Sequence, residues 1–163
     1  MPTADLNRGM GQIRFKTVTE LTRRPDKGHH DEGWFVYFGD VRVGHIGLRS
    51  GAPVDEPQWG WTCGFYPGCD PEQQTHGTGE TFEEAKAGFE EAWNRLSRTR
   101  TEAHFELWRQ ERDFTVWKYR MREKGLKLPT QTKNGLARCF CGVEITNRSL
   151  DAHIRAFHRG IGA

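Results

Sequence analysis

Apolar side chains recur every second residue in the first half of the chain and every third or fourth in the second half, so strands precede helices. The clearest two-residue period lies in residues 34–38 and 41–48, separated by Gly39-Asp40. A Gly-Asp pair between two apolar runs predicts a two-residue hairpin turn with Gly39 supplying the positive φ. The implied register sets Phe38 opposite Val41, Val36 opposite Val43 and Trp34 opposite His45 on one side, with Tyr37 opposite Arg42 on the other. Residues 58–66 alternate Trp59, Trp61, Cys63 and Phe65 with Gly60, Thr62 and Gly64. That pattern predicts a strand with one apolar face and one nearly bare face, closely approached from behind. Residues 12–21 alternate more weakly, at Ile13, Phe15 and Val18, and read as a first strand. RRPDKGHHDEG, residues 50–57 and PGCDPEQQTHGTGE read as loops from their Gly, Pro and charged residues.

The period then changes. In TFEEAKAGFEEAWNRL, residues Phe82, Ala85, Phe89, Trp93 and Leu96 fall on one helical stripe that packs on the sheet. Thr81 caps this helix, with Glu84 completing a capping box and acidic residues in the first turn. A second helix is expected over residues 102–124, capped by Thr99 or Thr101. Phe105, Trp108, Thr115 and Tyr119 make one of its stripes; Leu107, Phe114, Trp117 and Met121 make another. A helix with two aromatic faces needs two partners: the sheet domain is one, and the other is the C-terminal module, a second copy of the chain or an external protein. Gly125 ends the helix and Pro129 prevents its resumption. The expected fold is α+β, a small antiparallel sheet of three or four strands packed against two helices, followed by a ββα-type module. The expected organisation is a flexible lead with a first strand over residues 1–30, an α+β domain over 31–124, a linker over 125–134 and the module over 135–163.

Composition changes this picture in two ways. Six Trp and ten Phe in 163 residues provide large buried area per residue, and a net charge of +2 produces little self-repulsion, so the chain folds despite few aliphatics. The charge is also divided: residues 1–30 carry +3, 31–91 carry −9 and 92–163 carry +8. Any contact with a polyanion is therefore expected from the C-terminal half. No apolar run approaches membrane-spanning length and the N-terminus lacks a signal peptide's apolar region, which points to a cytoplasmic protein with no membrane partner. Four cysteines in a reducing compartment suit a metal better than a disulfide framework.

The candidate chemistry lies in RCFCGVEITNRSLDAHIRAFH. Cys139 and Cys141 are followed by His153 and His158, two thiolates and two imidazoles that complete a tetrahedral zinc set with no position left open. One structural Zn2+ per chain is the expected cofactor. Ile145 and Leu150 fill a small core, Gly142 permits the turn after Cys141, and Thr146 or Asn147 caps a helix over residues 148–158. With these residues the segment resembles the C2H2 zinc finger, whose pattern is C-x(2 to 4)-C-x3-apolar-x5-apolar-x2-H-x(3 to 5)-H. It departs in having one residue, Phe140, between the cysteines, which tightens the hairpin. One residue fewer between Ile145 and Leu150 shifts the helix start. Residues 33–120 are similar to small uncharacterised bacterial proteins, a resemblance that implies no activity.

No nucleotide-binding glycine loop, serine-nucleophile elbow or HExxH motif occurs, so a non-enzymatic protein without a small-molecule substrate is expected. Cys63 reads as a buried thiol, and no ligand spacing joins Cys63, Cys69 and His76. His29 and His30 read as loop residues. If the module docked as a C2H2 recognition helix, Arg148 and Ser149 would face bases, while Lys133, Arg138, Arg155 and Arg159 would meet phosphates. Nucleic-acid association, largely non-specific and phosphate-driven, is the leading expectation. The alternative is a protein-interaction module, or a homodimer, in which the finger and the aromatic helix dock a partner.

Overall fold

In the computed structural model, residues 21–163 are described. The weak alternation at Ile13, Phe15 and Val18 lies outside them. The architecture is α+β. Five antiparallel strands form one sheet in sequential order: β1 (Leu21–Pro25), β2 (Gly33–Phe38), β3 (Val41–Leu48), β4 (Trp59–Cys63) and β5 (Thr75–Gly79). Helices α1 (Phe82–Ser97) and α2 (Glu102–Glu123) follow, and a two-stranded ribbon, β6 (Leu136–Arg138) and β7 (Glu144–Thr146), leads into α3 (Leu150–Phe157).

The sheet has more strands than expected. Arg23, Arg24 and Pro25, read as loop, belong to β1, an edge strand that tolerates proline. Thr75–Gly79, also read as loop, pairs as β5 with β4 from Trp59↔Gly79 to Cys63↔Thr75. Its glycines serve close packing. A Cβ on Gly77 would lie 2.6 Å from the Trp61 indole and one on Gly88 of α1 would also lie 2.6 Å from it, so the indole is wedged between β5 and α1.

The hairpin turn forms at Gly39, with φ +59, and Phe38 and Tyr37 pair with Val41 and Arg42 as expected. Beyond them the register differs. A bulge between Val36 and Tyr37 pairs Val36 with Gly44, Trp34 with Ile46 and Phe35 with His45, leaving Val43 as the extra residue. The reason is burial. Val41, Val43 and Ile46 are all buried, and strict alternation cannot turn two odd positions and one even position to the same side. The slip carries His45 to the other face, beside Phe35.

Helix α1 covers one face of the sheet. Thr81 Oγ1 accepts the Glu84 amide at 3.2 Å, and Ala85, Phe89, Ala92 and Trp93 are buried with Val36, Ile46, Cys63 and Phe65. The expected close approach from behind occurs at Gly64, where a Cβ would lie 2.6 Å from the Gln74 side chain and 3.2 Å from its Cα; Gly60 faces the Arg49 side chain at 3.1 Å. No helix among the described residues packs over that face as α1 does over the other.

The two stripes of α2 divide along its length. Its N-terminal half sends Phe105 and Trp108 into the sheet core, where Phe105 stacks on Phe38 and Phe65 with centroids 5.1 and 5.3 Å away. Its C-terminal half sends Phe114, Trp117 and Met121 into a second core with Cys139, Ile145 and Ile154. Leu107 and Tyr119 remain exposed. Gly125 ends the helix at φ +67. In the stretch that follows, Pro129 opens a short 3-10 turn and is buried, and Leu126 and Leu128 pack on the second core.

Candidate metal centre

The second core is built around four polar groups. Arg138↔Glu144 closes the β6–β7 ribbon, and the turn between them is set by Gly142 at φ +94, whose amide donates to Cys139 O at 2.8 Å. Cys139 N in turn donates to Val143 O at 2.9 Å, so one intervening residue is enough for both thiols to face α3. The helix starts later than expected. Ser149 takes the cap position but makes no side-chain cap bond; Thr146, one of the two expected caps, bonds reciprocally with it, Ser149 Oγ accepting Thr146 N at 2.9 Å and Thr146 Oγ1 accepting Ser149 N at 3.2 Å. From that start, His153 and Ile154 turn inward, and His158 follows at the C-cap.

Cys139 Sγ lies 3.3 Å from His158 Nε2 and Cys141 Sγ lies 3.5 Å from His153 Nε2. All four donor atoms fall within 4.8 Å of one another. Zinc–ligand bonds of about 2.3 Å to sulfur and 2.0–2.1 Å to nitrogen make tetrahedron edges of about 3.3 to 3.8 Å. The four residues are thus placed to bind a metal ion, and their donor set is compatible with zinc. Among the described residues, no other group of three or more His, Cys, Asp or Glu is gathered closely enough to do so.

Electrostatics prepare the ligands unequally. Burial pushes the Cys139 thiol up, opposed by the Cys141 amide and by the Trp117 indole, which donates to Cys139 Sγ at 3.3 Å. Burial lowers His153, and burial with His153 and Arg120 lowers His158. Both imidazoles are therefore held in the neutral, ligating form. His153 Nδ1 is buried with no hydrogen-bond partner among the described residues, so packing against Phe157, 5.1 Å between centroids, orients this ring where an outer hydrogen bond usually does. His158 rests on Phe140 at 4.7 Å, which assigns the lone residue between the cysteines a packing role.

Trp117 was not legible as part of this site. It stands 22 residues before Cys139, on the preceding helix, and no spacing rule links an indole to a finger thiol. The same is true of Asp113. Only 4% exposed, it accepts Arg112 Nε at 3.0 Å, Gly160 N at 2.7 Å and Gly162 N at 3.2 Å, which ties the end of the chain to α2.

Comparison with known proteins adds no family: no family model, no curated protein and no solved structure matches the chain. The finger-like character therefore rests on the four ligands and their geometry.

The other singled-out residues are dispersed. Lys133, Arg138, Arg148, Ser149, Arg155 and Arg159 are all exposed. Arg138 donates to Gly142 O at 2.8 Å, Arg159 pairs with Glu106 at 3.3 Å, and the Ser149 hydroxyl is engaged with Thr146. Cys63 is buried and its thiol is pushed up to about 12 by burial and by Cys69, so it is an inert core thiol. His76 lies on the opposite face of the sheet, away from both. His30 is exposed, whereas the His29 ring lies against His45 with centroids 5.4 Å apart. No helix among the described residues is long and apolar enough to cross a membrane.

Proposed function

We propose that the chain is a non-enzymatic, nucleic-acid-associated protein whose C-terminal unit is locked by one structural Zn2+ and binds phosphates. A closed four-ligand set leaves the metal no position for substrate, which supports a structural role. The observation that carries nucleic-acid association is the state of the basic side chains around that unit. Lys118, Arg122, Lys124, Lys127, Lys133, Arg148 and Arg155 are exposed, and none forms an ion pair among the described residues. The carboxylates that could neutralise them are scarce: beyond Trp117 only Glu123, Glu144 and Asp151 occur. Because the tail and finger are fastened to α2, these charges sit on one scaffold and are best suited to sequence-independent phosphate contacts. Ser149 adds little base reading, since its hydroxyl is already engaged. The protein-docking alternative retains only Leu107 and Tyr119 as exposed apolar side chains of α2, since Phe105, Trp108, Phe114 and Trp117 pack within the chain. Four cysteines, none of them in a disulfide, fit a cytoplasmic setting.

Two measurements test this. Elemental analysis of protein purified without added metal should give one zinc per chain, lost in a Cys139→Ser, His158→Ala double variant. Fluorescence anisotropy with a labelled oligonucleotide should show affinity falling steeply, by about 10³-fold or more between 50 and 200 mM salt if roughly six phosphates are contacted. An Arg148→Ala, Arg155→Ala variant should flatten that slope. Affinity independent of salt would sink the reading.

A further inference from the structure

The face of the five-stranded sheet that is left open among the described residues has a composition that the acidic character of its sequence region conceals. Residues 31–91 carry a net charge of −9, yet none of the five strands contains an Asp or a Glu. The acids lie in the loops and on α1. Across the open face runs one continuous row, Arg24↔Phe35↔His45↔Thr62↔His76, each pair being register partners on adjacent strands. At a strand spacing of about 4.8 Å the row extends about 19 Å. Tyr37↔Arg42 forms a second, shorter row. The cations stand over the rings: Arg42 lies 4.7 Å from the Phe35 centroid and Arg24 lies 4.2 Å from that of Tyr37. At one end Phe35, Arg42, His45, Tyr66 and Trp108 line a hollow of about 290 Å3, and Tyr66 is 73% exposed. One carboxylate, Asp26, reaches this row, 3.2 Å from His45.

We infer that this face binds single-stranded nucleic acid, its bases displacing Arg42 and Arg24 from the rings of Phe35 and Tyr37 and stacking there while the two guanidinium groups turn to the phosphates. The chemistry favours that occupant. Aromatic platforms with flanking cations accept the π-face of any base and the charge of the backbone, whereas a duplex hides its base faces. The bulge at Val43 is what creates the platform, because it brings His45 beside Phe35 and keeps Arg42 over the ring. The inference extends the nucleic-acid reading above to a second surface and a substrate class.

The test uses full-length protein and fluorescein-labelled oligothymidylate and oligouridylate, with a duplex of the same length as comparison. Phe35→Leu, which retains apolar bulk without an aromatic face, should weaken single-strand binding by about tenfold and leave duplex binding and zinc content unchanged. Phe35→Tyr should restore it, and Arg42→Ala should lower both single-strand affinity and its salt slope. Single-strand binding unaffected by Phe35→Leu and Arg42→Ala would overturn the inference. Failure of the C-terminal reading looks different, since there Arg148→Ala, Arg155→Ala leaves both oligonucleotide forms bound as before.

Discussion

Cys139 is 2% exposed, and its sulfur accepts the N–H of Trp117, itself fully buried. A thiolate in that position has lost water and depends on such donors, which are worth more than hydrogen bonds between neutral groups. Trp117→Phe retains the packing of an aromatic ring and removes the donor. Its zinc affinity, measured by competition with a chromophoric chelator, should fall about tenfold, the usual effect of losing an outer partner of a ligand. Equal affinity in both proteins would reduce Trp117 to a packing residue. The four ligands themselves were readable because their spacing is local chemistry; their outer partners were not, because an indole 22 residues away is brought there by tertiary structure alone. The register slip at Val36 is a similar case. Propensity and turn type specify a hairpin, but only the need to bury Val43 as well as Ile46 specifies the bulge.

Among the elements, α2 organises the molecule, and its charges show how. Arg109 and Arg112 both reach Asp40 in the β2–β3 turn, at 3.0 and 2.9 Å, while the neighbouring Asp113 holds the tail. The helix was legible as two-faced, and Thr101 caps it as expected, with His104 Nδ1 accepting the Thr101 amide at 2.9 Å. That its faces are used one after the other, first by the sheet and then by the finger, depends on where the finger docks and is not written in periodicity. Strands β1 and β5 were missed for another reason: LTRRP and THGTG lack the apolar alternation of a half-buried strand, and they pair because edges of a sheet accept such sequences. Burial disfavours the charged form of Asp40, but hydrogen bonds and attraction from Arg109 and Arg112 outweigh it and lower the carboxyl below its ordinary 3.8. A lowered value in the folded state means the contribution is present above 3.8 and is lost as pH falls through the lowered value. Asp40→Asn should therefore be less stable than wild type at pH 6, and the gap in urea midpoint should close below pH 4. A gap that persists in acid would assign the loss to geometry instead of charge.

In the whole molecule two cores share one helix, and they are held by different means. The sheet core has strands, α1 and stacked aromatics; the second core has Trp117, Met121, Ile145 and Ile154 around the four ligands, with a ribbon of three-residue strands and an eight-residue helix. Elements so short do not persist without tertiary support. Metal bound to the folded state alone stabilises by its binding free energy, and that energy falls on the second core. Chelation should therefore open residues 136–158 and expose the C-terminal half of α2, while α1 and β2–β4 stay closed. Hydrogen exchange read by mass spectrometry, with and without chelator, separates the two regions directly. Fast exchange confined to the finger and to α2 beyond about Phe114 is the expected pattern. Loss of protection throughout the sheet as well would mean that the cores unfold as one unit, with α2 transmitting the loss of metal to Phe105 and the aromatic stack it joins.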